Sequence, residues 1–261
     1  MVPIDRVEAS DVFVVGYPKS GNTWVQTLTA GLIYGLEPER LPGRLVHGLV
    51  PDVHLWKYYT RWQSPMVFKS HRLPRREYRR VVYLIRDGRD ALCSLAQHRR
   101  ALGQEVDFLR MVESGVGLTG GKKWHEHVEA WLANPFDADL ITITYERLVS
   151  DPVEELTRFS EFLGLDRTAG SIERVAASAR FENMRRQEEA FGWPGWPREQ
   201  FFVRRGKVGG YRDEMPRQVL EAFEREAGPL LRRLGYSTNE TDVRPRELRR
   251  EANVPLAGSG T

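Results

Sequence analysis

The segment Val12 to Trp24, VFVVGYPKSGNTW, most narrows the folds open to this 261-residue chain. An apolar run enters a Gly/Ser/Thr turn, which passes into the amphipathic stretch Thr23 to Leu36, so strand, loop and helix follow in that order. In such a loop the backbone N–H groups gather at a helix N-terminus, where the positive end of the helix favours a phosphate. Lys19 adds a full charge inside the turn.

The spacing Gly16-x4-Gly21 matches a Walker A loop, yet Asn22 stands where that motif requires Lys, and only Thr23 survives of its Lys-Ser/Thr pair. The apolar run Val81 to Ile85 ends in Arg86 before Asp87, so it offers no Walker B acid, and a basic residue at a strand end points to a second anion. A P-loop nucleotide kinase stays open as an alternative, marked by magnesium-dependent turnover of ATP.

Short β-branched or aromatic runs, Val12 to Gly16, Met66 to Lys69, Arg80 to Ile85 and Leu140 to Tyr145, alternate with longer amphipathic stretches. That order predicts an α/β chain, a mostly parallel β-sheet flanked by helices, in a single domain spanning 1–261 with its core at about 12–235. Helices are expected from near Gly21, Asp87, Lys123, Pro152, Thr168 and Pro216. The fourth is fully marked: Asp151 caps, Pro152 suits the first position, Glu154 completes a capping box and Gly164 follows the apolar Leu156, Phe159, Phe162 and Leu163. Ala101 to Gly121 and Phe191 to Pro197 (FGWPGWP) lack a period and read as mobile loops. The tail 239–261 is expected to fray.

Hydrophobic residues make up 41% of the chain, enough for a large core, and no apolar run reaches the ~18 to 20 residues of a bilayer span. The N-terminus carries Asp5, Arg6 and Glu8 where a signal peptide needs an apolar centre, so the expectation is a cytoplasmic protein with no membrane association. A single cysteine, Cys93, forms no intrachain disulfide, and no Cys/His cluster has zinc spacing. The net charge is only +3, and the pairs Arg75-Arg76, Arg79-Arg80, Arg99-Arg100 and Arg185-Arg186 are scattered along the chain, against a nucleic-acid partner.

Tyr17 to Trp24, YPKSGNTW, resembles the loop YPKSGTTW of the cytosolic-type sulfotransferases that use 3′-phosphoadenylyl sulfate (PAPS). The resemblance implies the P-loop-like sulfotransferase fold. It also implies that Lys19 contacts the 5′-phosphate side and the bridging oxygen, that Ser20, Gly21, Asn22 and Thr23 supply further donors, and that Trp24 packs on adenine. Arg86 and Ser94, eight residues apart in LIRDGRDALCS, match the family pair on the 3′-phosphate, and Arg suits that anion with its planar fork of donors. Lys69-Ser70-His71 matches the family's Lys-x-His at a strand end, and the resemblance implies that His71 is the catalytic base. Phe201 to Tyr211, FFVRRGKVGGY, is similar to the segment RKGxxGDW that folds over the 3′-phosphate, with Arg204, Arg205 and Gly206 on its RKG. Tyr145 and Phe181 match positions that contact adenine, and WHEHVEAW, Trp124 to Trp131, resembles a helix beside the acceptor pocket. Asn22, Ala179 and Gly210-Tyr211 depart from the family pattern. No KxxxTVxxxE dimer segment follows Tyr211, so no oligomeric state is carried over.

The reaction implied is in-line transfer of a sulfonate from PAPS to a hydroxyl, releasing adenosine 3′,5′-bisphosphate, with no metal required. Lys19 would serve the leaving oxygen, Lys69 the sulfonate oxygens and His71 the acceptor's proton, with Ser94 also holding Lys19. The partner is a small-molecule hydroxyl acceptor, an alcohol or phenol first and a carbohydrate second. The aromatics of Trp56 to Trp62 and of FGWPGWP are candidates for its pocket. A non-catalytic adenosine-bisphosphate-binding protein is the second alternative, and it would bind the bisphosphate without supporting transfer.

Overall fold

Unbroken apolar runs, as opposed to alternating ones, belong to strands covered on both faces, and the computed structural model bears this out over the residues it describes, 1–115, 122–193, 195–197 and 199–236. A short antiparallel ribbon joins β1 (Val2–Pro3) to β3 (Tyr58–Tyr59). The main sheet holds β2 (Val12–Gly16), β4 (Val67–Ser70), β5 (Arg80–Ile85) and β6 (Asp139–Thr144), all parallel, in the order β4-β2-β5-β6. Each predicted strand is present, with boundaries within one residue.

Phe13 and Val15 pack, with Phe68, Val81 and Tyr83, against α3 (Gly88–Ala101), α4 (Phe108–Ser114), α5 (Trp124–Leu132) and α11 (Arg217–Arg233). Val12 and Val14 pack on the opposite face, with Val67, Val82 and Ile143, against α1 (Asn22–Tyr34), α7 (Pro152–Leu163) and α8 (Ala169–Ser178). The cap of α7 keeps the sequence reading at both ends, since Asp151 accepts from the Glu154 N–H at 3.3 Å and Gly164 closes the helix at φ 74. The expected capping box does not form: the Asp151 N–H donates to Arg147 O, and the Glu154 carboxylate pairs with Arg147 instead. Shorter helices complete the chain: α2 (Gly43–Leu49), α6 (Tyr145–Ser150), α9 (Phe181–Phe191) and α10 (Tyr211–Glu214).

Two loop expectations need correction. Within 101–121, residues 108–114 form α4, because Phe108, Met111 and Val112 share one helical face and bury it in the core, with Asp107 as the cap. In FGWPGWP, Phe191 ends α9, Pro194 lies outside the described residues, and Trp193 and Trp196 stack on Phe202 and His98 with ring centroids 4.9 and 4.7 Å apart. Of the aromatics proposed as pocket lining, Trp56, Tyr58 and Trp62 are exposed and only Tyr59 is buried. The tail 239–261, expected to fray, lies outside the described residues, as do residues 116–121 of the first loop.

The chain passes from β2 to β4 on one side and then returns to β5 on the other, so the winding reverses at β2. In an open parallel sheet that reversal leaves a crevice beyond the carboxyl ends of the strands, the natural place for a ligand.

Candidate active site

The loop after β2 has the backbone shape its composition implies. Lys19 and Gly21 have φ of 67 and 97, and this repeated left-handed geometry turns successive N–H groups inward as an anion nest. A Cβ on Gly21 would lie 2.7 Å from the Tyr145 ring, so close approach as well as φ demands glycine. Asn22, at the Walker lysine position, folds back and donates to Tyr17 O at 2.9 Å, closing the loop from within. That removes the side chain a kinase needs for its nucleotide.

The other strand ends converge on this loop. Lys69, next to last in β4, lies beside it, with Nζ 3.5 Å from Thr23 Oγ1. His71 follows, its Nδ1 2.8 Å from Gly16 O. A carbonyl oxygen only accepts, so Nδ1 carries the proton and Nε2 keeps a lone pair. Burial first, then the charge of Lys69, pushes the His71 pKa down to about 3, and the imidazole is neutral at physiological pH.

Arg86, at the end of β5, donates to Lys19 O at 3.0 Å and to Lys207 O at 3.2 Å, joining the phosphate loop to the RRGK segment, and stands 4.2 Å over the Tyr145 ring. Trp24 meets Tyr145 edge-on at 5.6 Å and donates to Ala179 O at 2.8 Å. Gly206, at φ 62, sits so tightly on Phe181 that a Cβ would come within 2.6 Å of the ring. Trp24, Arg86, Tyr145, Phe181 and Gly206 are thus brought to one edge of the site. Ser20 Oγ and Arg86 Nε are buried donors that no protein atom satisfies, as a cradle for phosphate oxygens requires.

Behind the strand ends, α5 acts as a prop. Trp124 and Trp131 are fully buried and donate to the Arg86 and Arg72 carbonyls at 3.1 and 3.0 Å. Between them His127 donates from Nε2 to His71 O at 3.1 Å and accepts from Tyr83 at 2.9 Å. The WHEHVEAW pattern thus fixes the backbone that carries His71 and Arg86.

Three participants escaped the sequence reading. His98, and not Ser94, receives the Lys19 amine, at 3.4 Å; Ser94 lies half-buried one turn earlier on α3. Glu214 ties Arg204, at 2.8 Å, and Arg205. Asp52 holds Lys69 at 2.8 Å. Each acid or imidazole reaches its partner through tertiary folding or a separate element. Only the i, i+4 placement of His98 after Ser94 on one helix face was available as a signal. Among the described residues, no group of three or more His, Cys, Asp or Glu side chains is placed to share a metal ion.

Known proteins resemble this chain in sequence and fold. Residues 9–235 match the model of the sulfotransferase domain. Cytosolic sulfotransferase 1 of Danio rerio is 26% identical over 247 residues, covering 84% of this chain and 82% of that protein, and sulfotransferase 2B1 of Mus musculus is 25% identical, covering 92% and 78%. Among solved structures, retinol dehydratase in complex with androsterone and PAP superposes with a TM-score of 0.68 at 21% identity, over 92% of this chain and 83% of that one. A mouse sulfotransferase complexed with PAP gives 0.64 at 19%, over 87% and 86%. With the domain model matched over residues 9–235 of its 261 and the fold shared, the chain belongs to the sulfotransferase family.

Proposed function

We propose that the protein transfers the sulfonate of 3′-phosphoadenylyl sulfate to the hydroxyl of a small acceptor, an alcohol or phenol before a carbohydrate, and releases adenosine 3′,5′-bisphosphate. The observation that carries this reading is the His71 Nδ1–Gly16 O bond of 2.8 Å beside Lys69 and the phosphate loop, since it leaves a neutral Nε2 lone pair at the edge of an anion nest.

In the transfer, the acceptor oxygen forms its bond to sulfur as the bond from sulfur to the donor's phosphate oxygen breaks, and the hydroxyl proton passes to His71 Nε2. Lys19 meets the charge that develops on the leaving phosphate, and Lys69 meets the sulfonate oxygens. Arg86, with Ser94, Arg204, Arg205 and Gly206, takes the 3′-phosphate, while Ser20 to Thr23 donate to the 5′ side. Trp24, Tyr145 and Phe181 form the adenine edge. Retinol dehydratase was solved with PAP and either androsterone or retinol, both small alcohols, which favours a compact acceptor here as well.

The test is a thermal-shift panel of adenosine 3′,5′-bisphosphate, AMP and ATP with magnesium, followed by labelled donor with an acceptor library. Stabilisation by the bisphosphate alone and label in an alcohol or phenol are expected. Stabilisation by ATP with magnesium, or binding of the bisphosphate with no transfer to any acceptor, overturns the proposal. Replacing Arg86 by Ala is expected to weaken the bisphosphate far more than AMP.

A further inference from the structure

The stretch before β3 carries the unassigned acid. Pro51 to Val53 adds itself to the open edge of β4: Lys69 N donates to Pro51 O at 2.8 Å and Val53 N donates to Lys69 O at 3.0 Å, a parallel bridge that sets Asp52 directly beside Lys69. Paired residues in a sheet point to the same face, so the two side chains are delivered together. The Asp52 carboxylate spends one oxygen on the His54 N–H at 2.8 Å and the other on Lys69 Nζ at 2.8 Å, with both side chains almost wholly withdrawn from water. His54 Nε2 in turn accepts from the His71 backbone N–H at 2.9 Å. The four residues 51–54 therefore touch both members of the Lys69–His71 pair.

We infer that Asp52 is a positioning residue of the transfer, holding the Lys69 ammonium by one of its three donors so that the remaining donors meet the sulfonate; this rests on the function proposed above. A lysine is a flexible point charge on a four-carbon stem, and unpaired it would be free to swing among the anions of a bound donor. Held by Asp52 and within reach of Thr23 Oγ1, Nζ has one setting. An error of about 1 Å in such a group costs up to ~100-fold in rate. The carboxylate also offsets part of the positive charge gathered here by Lys19, Lys69 and Arg86. Its own pKa is lowered: burial works against ionisation, but the charge and hydrogen bond of Lys69 outweigh it. No motif marks Asp52, since it meets Lys69 only through a bridge between segments separated by β3 and its flanking loops.

The test compares Asp52→Asn, Asp52→Glu and Lys69→Met, alone and with Asp52→Asn combined with Lys69→Met. The readouts are kcat, bisphosphate affinity, melting temperature and the rate at which an amine-acylating reagent modifies Lys69, read by mass spectrometry. Asp52→Asn is expected to lower kcat about 10- to 100-fold with bisphosphate affinity held within about threefold, and to raise Lys69 acylation several-fold. Asp52→Glu is expected to recover most of kcat. The double variant should be no slower than Lys69→Met alone, because Asp52 acts through that lysine. Full activity in a folded Asp52→Asn protein, unchanged Lys69 acylation, or losses that multiply in the double variant overturn the inference. If Asp52→Asn fails to fold, Asp52→Glu with unchanged stability and no recovery of rate overturns it too. The acylation readout needs no turnover. A wild-type chain inert toward the donor would sink the proposed reaction, while Lys69 labelling still reports on the Asp52 contact.

Discussion

Lys19 Nζ and His98 Nδ1 stand 3.4 Å apart, with the amine also 4.4 Å above the Phe202 ring and His98 stacked on Trp196. An ammonium beside two rings and three other cations is poorly solvated. Burial first, and then Lys69, Arg86 and Arg204, bring the Lys19 pKa down from 10.5 to about 7. His98 is likewise pushed down to about 4, by burial and then by Lys19, so its Nδ1 is available as an acceptor.

The sign of this shift gives the first prediction. A lysine depressed in the fold binds fewer protons than in the unfolded chain between pH 7 and 10.5, so its burial opposes folding most below pH 7 and less as pH rises through that window. A bound phosphate raises the pKa again. Binding of adenosine 3′,5′-bisphosphate at pH 8 should therefore take up about one proton, measured by calorimetry in buffers of different ionisation enthalpy. Lys19→Met should abolish the uptake; an unchanged value would place the proton elsewhere.

For His71, replacement by Ala or Gln should lower kcat by about 10²- to 10⁴-fold and leave bisphosphate affinity nearly intact. With its pKa held at about 3, the imidazole stays neutral through mildly acid solution. The acid limb of kcat/KM should accordingly lie well below the ordinary imidazole value of about 6.5. A limb at 6.5 that disappears in His71→Ala would contradict the buried geometry.

The parts legible in the sequence were those written locally. Val12–Gly16 and Arg80–Ile85 read as strands because burial on both faces leaves an unbroken apolar run, and Asp151, Pro152 and Gly164 bracket α7 by capping chemistry alone. The phosphate loop, Lys69-Ser70-His71 and Arg86 were visible because each sits at the end of its own strand. What the sequence hid is pairing between distant segments: Asp52 with Lys69, Glu214 with Arg204, His98 with Lys19. Helix α9 was missed because only Met184 and two polar residues, Gln187 and Glu188, form its buried side, so its apolar period is weak. Trp56, Tyr58 and Trp62 turn out exposed, which the sequence could not tell, since aromatic composition alone does not say which side of the surface a ring takes.

Glu214 gives a third prediction. It binds Arg204 at 2.8 Å and Arg205 as well, the two guanidinium groups proposed for the 3′-phosphate. Both arginines are well exposed, so each pair contributes little, about 0.2–1 kcal/mol. Glu214→Gln should release them and tighten bisphosphate binding about two- to fivefold, with a steeper decline in salt, read by calorimetry from low to high ionic strength. Weaker binding in the variant would mean that Glu214 shapes the clamp and does not compete with the phosphate.

The last prediction joins packing to the site. Gly88 opens α3 directly against α5 and α11: a Cβ there would lie 2.6 Å from Phe223 Cζ and 2.8 Å from Trp124 Cε2, and both rings are buried in the core. Neither ring has room to withdraw, so Gly88→Ala should cost about 1–3 kcal/mol and lower the melting temperature by several degrees. Gly48→Ala is the control, because a Cβ at that helical position meets nothing within 4 Å, and it should be neutral or slightly stabilising. The Trp124 indole also donates to Arg86 O, so its displacement should reach the site. Bisphosphate affinity should fall in Gly88→Ala well below the melting transition and stay unchanged in Gly48→Ala; equal affinities in the two variants would show that α5 supports the fold without setting Arg86.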